Sequence, residues 1–144
     1  MTDKIIRVGA GIIIINPKGQ ILAGKRSSKH REGTWALVGG WQEFGESFED
    51  CARREVLEET GLELTDIRTL QATNYIFKDE GRHSVTIYMI GCATGEPKVM
   101  EPDKCLEWRW FNSLADIPHP TFVPYVDDVD PQMIENYKKE ISAL

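Results

Sequence analysis

Residues 40–62 read GWQEFGESFEDCARREVLEETGL, and the interpretation of the whole chain turns on them. The stretch is a loop that becomes a helix. Gly39, Gly40 and Gly45 give the backbone turn freedom. Ser47 followed by Asp50 is a Ser-x-x-Asp capping box and marks the helix start. Gly61 is the residue expected just past a helix C-terminus. Between these ends, Glu55, Glu58 and Glu59 fall within roughly a 100° arc at about 100° per residue, so the three carboxylates share one face. Acids so spaced repel one another by a few tenths of a kcal/mol per pair, about 0.2–0.5 in an isolated helix. Phe48, Cys51, Ala52 and Leu62 project to the same side, which predicts a partly covered face. A divalent cation would neutralise such a half-buried triad, and oxygen ligands without His or Cys point to Mg²⁺ or Mn²⁺. The alternative for the acids alone is an ordinary solvated helix face.

The flanking pattern changes that balance. Gly40, Glu46, Arg54-Glu55-Val56, Glu58-Glu59 and Gly61-Leu62 resemble the box of the Nudix hydrolases, G-x5-E-x7-R-E-U-x-E-E-x-G-U, where U is bulky and apolar. By composition, the fixed-spacing identities would coincide by chance on the order of 10⁻⁸ per start position.

Working outward, residues 5–15 are rich in β-branched side chains around Gly9 and Gly11, which predicts a strand covered on both faces. Asn16-Pro17-Lys18-Gly19 is a turn, and 20–23 is the returning strand of a hairpin. Residues 24–33, GKRSSKHREG, read as a polar loop that is either merely solvated or supplies cations to phosphate; Arg26 is the choice for that contact. Trp35 reads as core, whereas Trp41 is a candidate for lining a pocket. Beyond the helix, 64–77 contains extended apolar segments and 78–82 a charged turn. Residues 83–92 form a central strand with Val85, Ile87 and Met89 on one side and Thr86, Tyr88 and Ile90 on the other. An aromatic strand at 107–111 follows, then a short helix at 113–116 and an irregular run at 118–124, whose Phe122 is a candidate to close the pocket. Asp130 as N-cap and Pro131 at N1 start a helix running to residue 143.

At 144 residues, with 41% hydrophobic and 28% charged residues, the sequence describes one globular domain over 1–144. A net charge of −6 argues against general nucleic-acid or anionic-membrane binding, though not against a small anionic substrate met by a metal. Cys51, Cys92 and Cys105 form no Cys-x-x-Cys pair and fit a reducing compartment. The longest apolar run, residues 12–15, is far short of a membrane span and no secretory h-region is present, so the expectation is a cytoplasmic protein.

The resemblance implies more than the residues alone establish. It implies an α/β/α sandwich, a central mixed sheet flanked by helices, with the box as a loop–helix–loop. GKR, EFGES, HSVTIYM and EPDKCLEWRWF are similar to the branch that cleaves nucleoside triphosphates to monophosphates. The family pattern assigns metal binding to Glu55, Glu58 and Glu59, adds the carbonyl of Gly39, and leaves Glu55 and Glu59 as joint candidates for the general base. Arg54 orients a catalytic glutamate, Gly40 opens the box at the substrate mouth, and Glu107 resembles an additional acid ligand, with Glu101 and Asp103 as rivals. Val38 stands where a proline is usual, and Trp41 where a smaller or basic side chain is common; both departures bear on specificity. A nucleoside triphosphate is the expected substrate, a nucleoside diphosphate-linked compound the alternative, and a non-catalytic nucleotide-binding module a third reading. Homodimerisation is an expectation carried by the resemblance.

Overall fold

The computed structural model describes residues 4–123 and 125–144. Seven strands form one mixed sheet: β1 (Ile6–Ile15), β2 (Ile21–Arg26), β3 (Trp35–Ala36), β4 (Val38–Trp41), β5 (Thr65–Phe77), β6 (Arg82–Cys92) and β7 (Cys105–Phe111). The helices are α1 (Phe48–Thr60), α2 (Tyr125–Asp128) and α3 (Pro131–Ser142). Single 3-10 turns cover Lys78–Glu80 and Leu114–Asp116.

β1 is the spine. Along one edge it runs parallel to β6 from Ile6↔His83 to Ile15↔Cys92. Its other edge is divided: Gly9, Ala10, Gly11 and Ile12 pair antiparallel with β4, whereas Ile15 pairs with Ile21 of β2. β2 then continues outward to β3 and β7, and β5 completes the far side against β6.

Strand periodicity divides β1 cleanly between two cores. Ala10, Ile12 and Ile14 pack with Val38, Met89 and the Cys51, Ala52 and Val56 side of α1. Ile13 and Ile15 pack on the opposite face with Tyr88, Ile90, Tyr125, Ile134 and Tyr137, under α2 and α3. Helices thus cover both faces, the α/β/α arrangement anticipated above. The sidedness expected along β6 is also observed, with Ile87 and Met89 in one core and Tyr88 and Ile90 in the other.

α1 is delimited by its local chemistry. Ser47 Oγ accepts the Asp50 N–H at 3.1 Å, and Gly61 closes the helix at φ 75°, a left-handed conformation that costs an L side chain roughly 1–2 kcal/mol. α3 begins as expected, with the Asp130 side chain accepting the Gln132 N–H ahead of the proline.

Several expectations need correction. β2 runs through Gly24, Lys25 and Arg26, because pairing with Trp35–Ala36 on one edge and β7 on the other overrides their loop-like composition. The extended segments at 64–77 are one strand from Thr65 to Phe77. Phe48 is 39% exposed, unlike Cys51, Ala52 and Leu62. α2 was not foreseen. Residues 118–123 are irregular as anticipated, and Pro124 lies outside the described residues.

Met89 is fully buried in the α1-side core, whereas Ile76 near the end of β5 is 57% exposed. Met89→Ala is expected to cost roughly 2–5 kcal/mol in chemical denaturation. Ile76→Ala should stay within about 0.5 kcal/mol.

Candidate active site

The site lies where α1 crosses β4. Gly40 pairs with Ala10 and turns its absent side chain toward α1, where a Cβ would strike the Glu55 carboxylate. At Gly39 a Cβ would collide with the Ala10 carbonyl oxygen. Only glycine lets the strand and the acidic helix face approach this closely. The Gly39 N–H donates to Glu59 Oε2 at 3.2 Å.

Glu55 and Glu59 are one helical turn apart and share this recess. Burial, then hydrogen bonding and charge from Glu55, push the Glu59 carboxyl up to about 9, against the pull of the Gly39 N–H. Glu101, from the loop before β7, adds to the same negative field.

Arg54 binds the entrance loop to the helix. Its Nη2 and Nε donate to the two oxygens of Glu46 at 2.6 and 3.0 Å, and Nη1 donates to Glu55 Oε1 at 2.7 Å. The same guanidinium reaches Glu58 Oε2 at 3.4 Å and the Trp41 carbonyl at 3.0 Å. Glu46 also accepts the Glu43 N–H at 2.8 Å. The Arg54 hydrogen bonds hold the Glu46 carboxyl down at about 2, and Glu46 in turn raises the arginine. Arg54 therefore neutralises acids on both sides of the loop.

The structure brings together Gly39, Gly40, Arg54, Glu55 and Glu59. Glu58 is about half exposed and turned onto Arg54. Among the described residues no three His, Cys, Asp or Glu side chains converge on one point at metal-ligand spacing. The donor chemistry nevertheless fits a hard divalent cation: two adjacent half-buried carboxylates, one of them pushed up by burial and its neighbour's charge, beside a strand backbone. Glu107 lies opposite Lys25 in the β2–β7 ladder and pairs with Arg109 at 3.1 Å. Of the outer acids weighed from sequence, Glu101 is the one whose charge reaches Glu59.

Arg26 ends β2 with its Nη2 on Ser28 Oγ at 2.7 Å, its Nε on the His30 carbonyl at 3.2 Å, and its guanidinium 4.1 Å from the Phe122 ring centre. Desolvation lowers its pKa, partly countered by the charge of Glu59. Phe122 is tied to β3 by its N–H on the Trp35 carbonyl at 2.8 Å. Trp41 is 43% exposed, with its ring beneath the Arg7 guanidinium at 4.0 Å. Trp35 is buried core, as expected. Sequence reasoning missed the Gly39 N–H contact and the roles of Arg7 and Arg31 as ring partners. No local signal marks them, because their partners lie on other strands or in distant loops.

Because Glu46 is depressed by Arg54, its contribution to stability is present above pH 4.5 and lost as pH falls through about 2. In Arg54→Leu the Glu46 carboxyl should titrate near 4.5, followed by carbon-detected NMR, and the Glu46 part of the acid destabilisation should vanish.

A NUDIX domain profile matches residues 5–133. The chain is 32% identical over 112 residues to the NAD-capped RNA hydrolase NudC of Pseudomonas putida strain W619, covering 78% of this chain and 39% of that protein. The protein of the same name from Vibrio vulnificus strain CMCP6 is 30% identical over 109 residues, covering 74% of this chain and 40% of its own length. The chain therefore spans well under half of these relatives. Among solved structures, the MutT NUDIX hydrolase from Burkholderia pseudomallei superposes with a TM-score of 0.74 at 35% identity, over 81% of this chain and 90% of that one. The MutT protein from Methanosarcina mazei Go1 gives 0.70 at 25% identity, over 97% and 98%. The acidic box, the mixed sheet beneath it and these matches agree: the chain belongs to the Nudix hydrolase family.

Proposed function

We propose that residues 1–144 act as one catalytic domain that hydrolyses a phosphoanhydride of a nucleoside triphosphate, normal or modified, to a monophosphate and pyrophosphate. The observation that carries this reading is the half-buried Glu55–Glu59 pair, set against the glycine backbone of β4 and bordered by Arg54. Glu55 and Glu59, with Glu58 and the Gly39 carbonyl, would hold Mg²⁺ or Mn²⁺, which would supply charge neutralisation of phosphate oxygens and activation of water. Glu55 and Glu59 are joint candidates for accepting the water proton. Arg54 fixes the carboxylate of Glu55 and spans to Glu46, holding the loop that carries Trp41. Arg26 presents a guanidinium to the phosphate chain, with Gly40, Trp41 and Phe122 bordering the nucleotide. Glu107 is retained as an outer acid, with Glu101 the better placed electrostatically. A free nucleotide, a cytoplasmic setting and a homodimer belong to the same reading. Among the described residues no helix is long and apolar enough to cross a membrane.

The second reading is cleavage of a nucleoside diphosphate-linked compound, favoured by the likeness to proteins named NAD-capped RNA hydrolases. Product analysis separates the two. Incubation with Mg²⁺ and a panel of triphosphates, dinucleotides and capped RNA should release monophosphate and pyrophosphate from a triphosphate fastest. Turnover confined to diphosphate-linked compounds would move the chain to the second reading.

Glu59→Gln and Glu58→Gln should each abolish turnover, with losses of at least about 10²-fold, while leaving the far-UV circular dichroism unchanged. Chelation of divalent cations should have the same effect on the wild type. Retained activity in both variants would sink the metal-site assignment.

A further inference from the structure

An open sheet edge presents backbone N–H and C=O groups that another strand can take up, and proteins shield such edges with charges, prolines, bulges or brevity. Among the described residues the edge strands here are β3, β4, β5 and β7. β3 and β4 are two and four residues long, and β7 carries the Glu107–Arg109 ion pair. β5 is shielded over its first half only. Its register shifts between Thr65 and Arg68 and again between Thr69 and Gln71, and Asp66 takes a left-handed φ of 53°. The Tyr137 hydroxyl also donates to the Asp66 carbonyl at 2.8 Å. From Gln71 to Phe77 the pairing with β6 is regular, running from Gln71↔Tyr88 to Phe77↔Arg82. That stretch reads QATNYIF and holds no charge and no proline, in a chain with 28% charged residues.

The bare stretch is complementary to itself. Ala72, paired with Ile87 of the α1-side core, shares its face with Asn74 and Ile76, and all three are exposed. Antiparallel pairing about a two-fold axis at Asn74 sets Asn74 opposite its own copy and Ala72 opposite Ile76. On the other face it sets Thr73 opposite Tyr75 and Gln71 opposite Phe77. A small side chain then meets a large one. On the axis a side-chain amide, which holds both donors and an acceptor, meets an identical amide. His83 Nε2, 2.9 Å from Asn74 Oδ1, orients that amide from the neighbouring strand.

We propose that a second copy of this chain adds to this edge, β5 against β5 over Gln71–Phe77, and joins the two sheets into one. This rests on the homodimer carried in the reading above and gives it an interface.

The test is sedimentation velocity of the protein over a concentration series reaching the micromolar range. The wild type should approach twice the 16.4 kDa mass of the chain. Its Gln71–Phe77 amides should exchange hydrogen more slowly as concentration rises. Asn74→Lys sets two ammonium groups face to face on the axis and should raise the dimer dissociation constant at least about tenfold. Ile76→Ala, neutral to the stability of a single copy, should raise it about threefold. Leu106→Lys, at a side chain 58% exposed on β7, should match the wild type. A wild type that stays monomeric would overturn the interface together with the homodimer. A dimer that Asn74→Lys leaves intact, or that Leu106→Lys weakens equally, would overturn the interface alone. Triphosphate hydrolysis is read separately by product analysis, so its absence would count against the catalytic reading and not against the edge.

Discussion

Two carboxylates side by side under a strand are the constraint around which this molecule is built. Glu55 and Glu59 repel each other, and burial makes the second charge harder to hold, so the Glu59 carboxyl is pushed up to about 9. Each neighbouring feature either makes room for that pair or compensates it. Gly40 leaves the space, the Gly39 N–H supplies a donor, and Arg54 supplies the charge. The remainder of α1 is anchored so that the pair cannot swing out. Ser47 and Gly61 fix its ends, and the fully buried Ala52 and Val56 fix its rotation against the sheet. An anchored helix of this kind cannot relieve that repulsion by moving.

The division of β1 explains how distant segments reach the same place. Its lower half pairs with β4 and its upper end with β2, so the two strands separate and leave a step in the sheet. β3 bridges that step. Trp35 pairs with Lys25 on β2, and after Leu37 the chain continues as β4 toward Gly39 and Gly40. Arg26, one residue beyond that pairing, is thereby brought into the electrostatic field of Glu59. Phe122 is added through its N–H bond to Trp35. Strand geometry thus brings the cationic end of β2 toward the acidic pair.

What could be read from sequence follows the range of the interactions. The caps of α1 and α3 involve neighbours within four residues, and both were legible. The two-sidedness of β6 was legible because alternation is a local pattern with a global meaning. Lys25 and Arg26 misled, because their polar composition is that of a loop while the backbone of Lys25 is claimed by strands on both sides and that of Arg26 by β7. Phe48 misled for a related reason: its position on the helix points along the acidic face, but nothing from the sheet extends far enough to cover it. The box named the acids, yet nothing in their spacing shows that Glu58 turns outward to Arg54 while Glu55 and Glu59 stay in. Arg31 was legible only as one of several loop cations, since its contact with Phe122 spans 91 residues.

An acidic chain that handles an anionic substrate needs its positive charge to act locally. At physiological ionic strength charges are screened beyond about 8 Å, so the excess of acids elsewhere contributes little to a phosphate already in the cleft. What counts is which cations remain uncommitted at short range. Arg54 is the most heavily paired arginine in the structure, and its charge is spent on Glu46, Glu55 and Glu58. Arg26 is held instead by a hydroxyl, a carbonyl and a ring, none of which cancels its charge. The two arginines therefore differ by their partners: one organises the acids, and the other keeps a charge that none of its partners cancels.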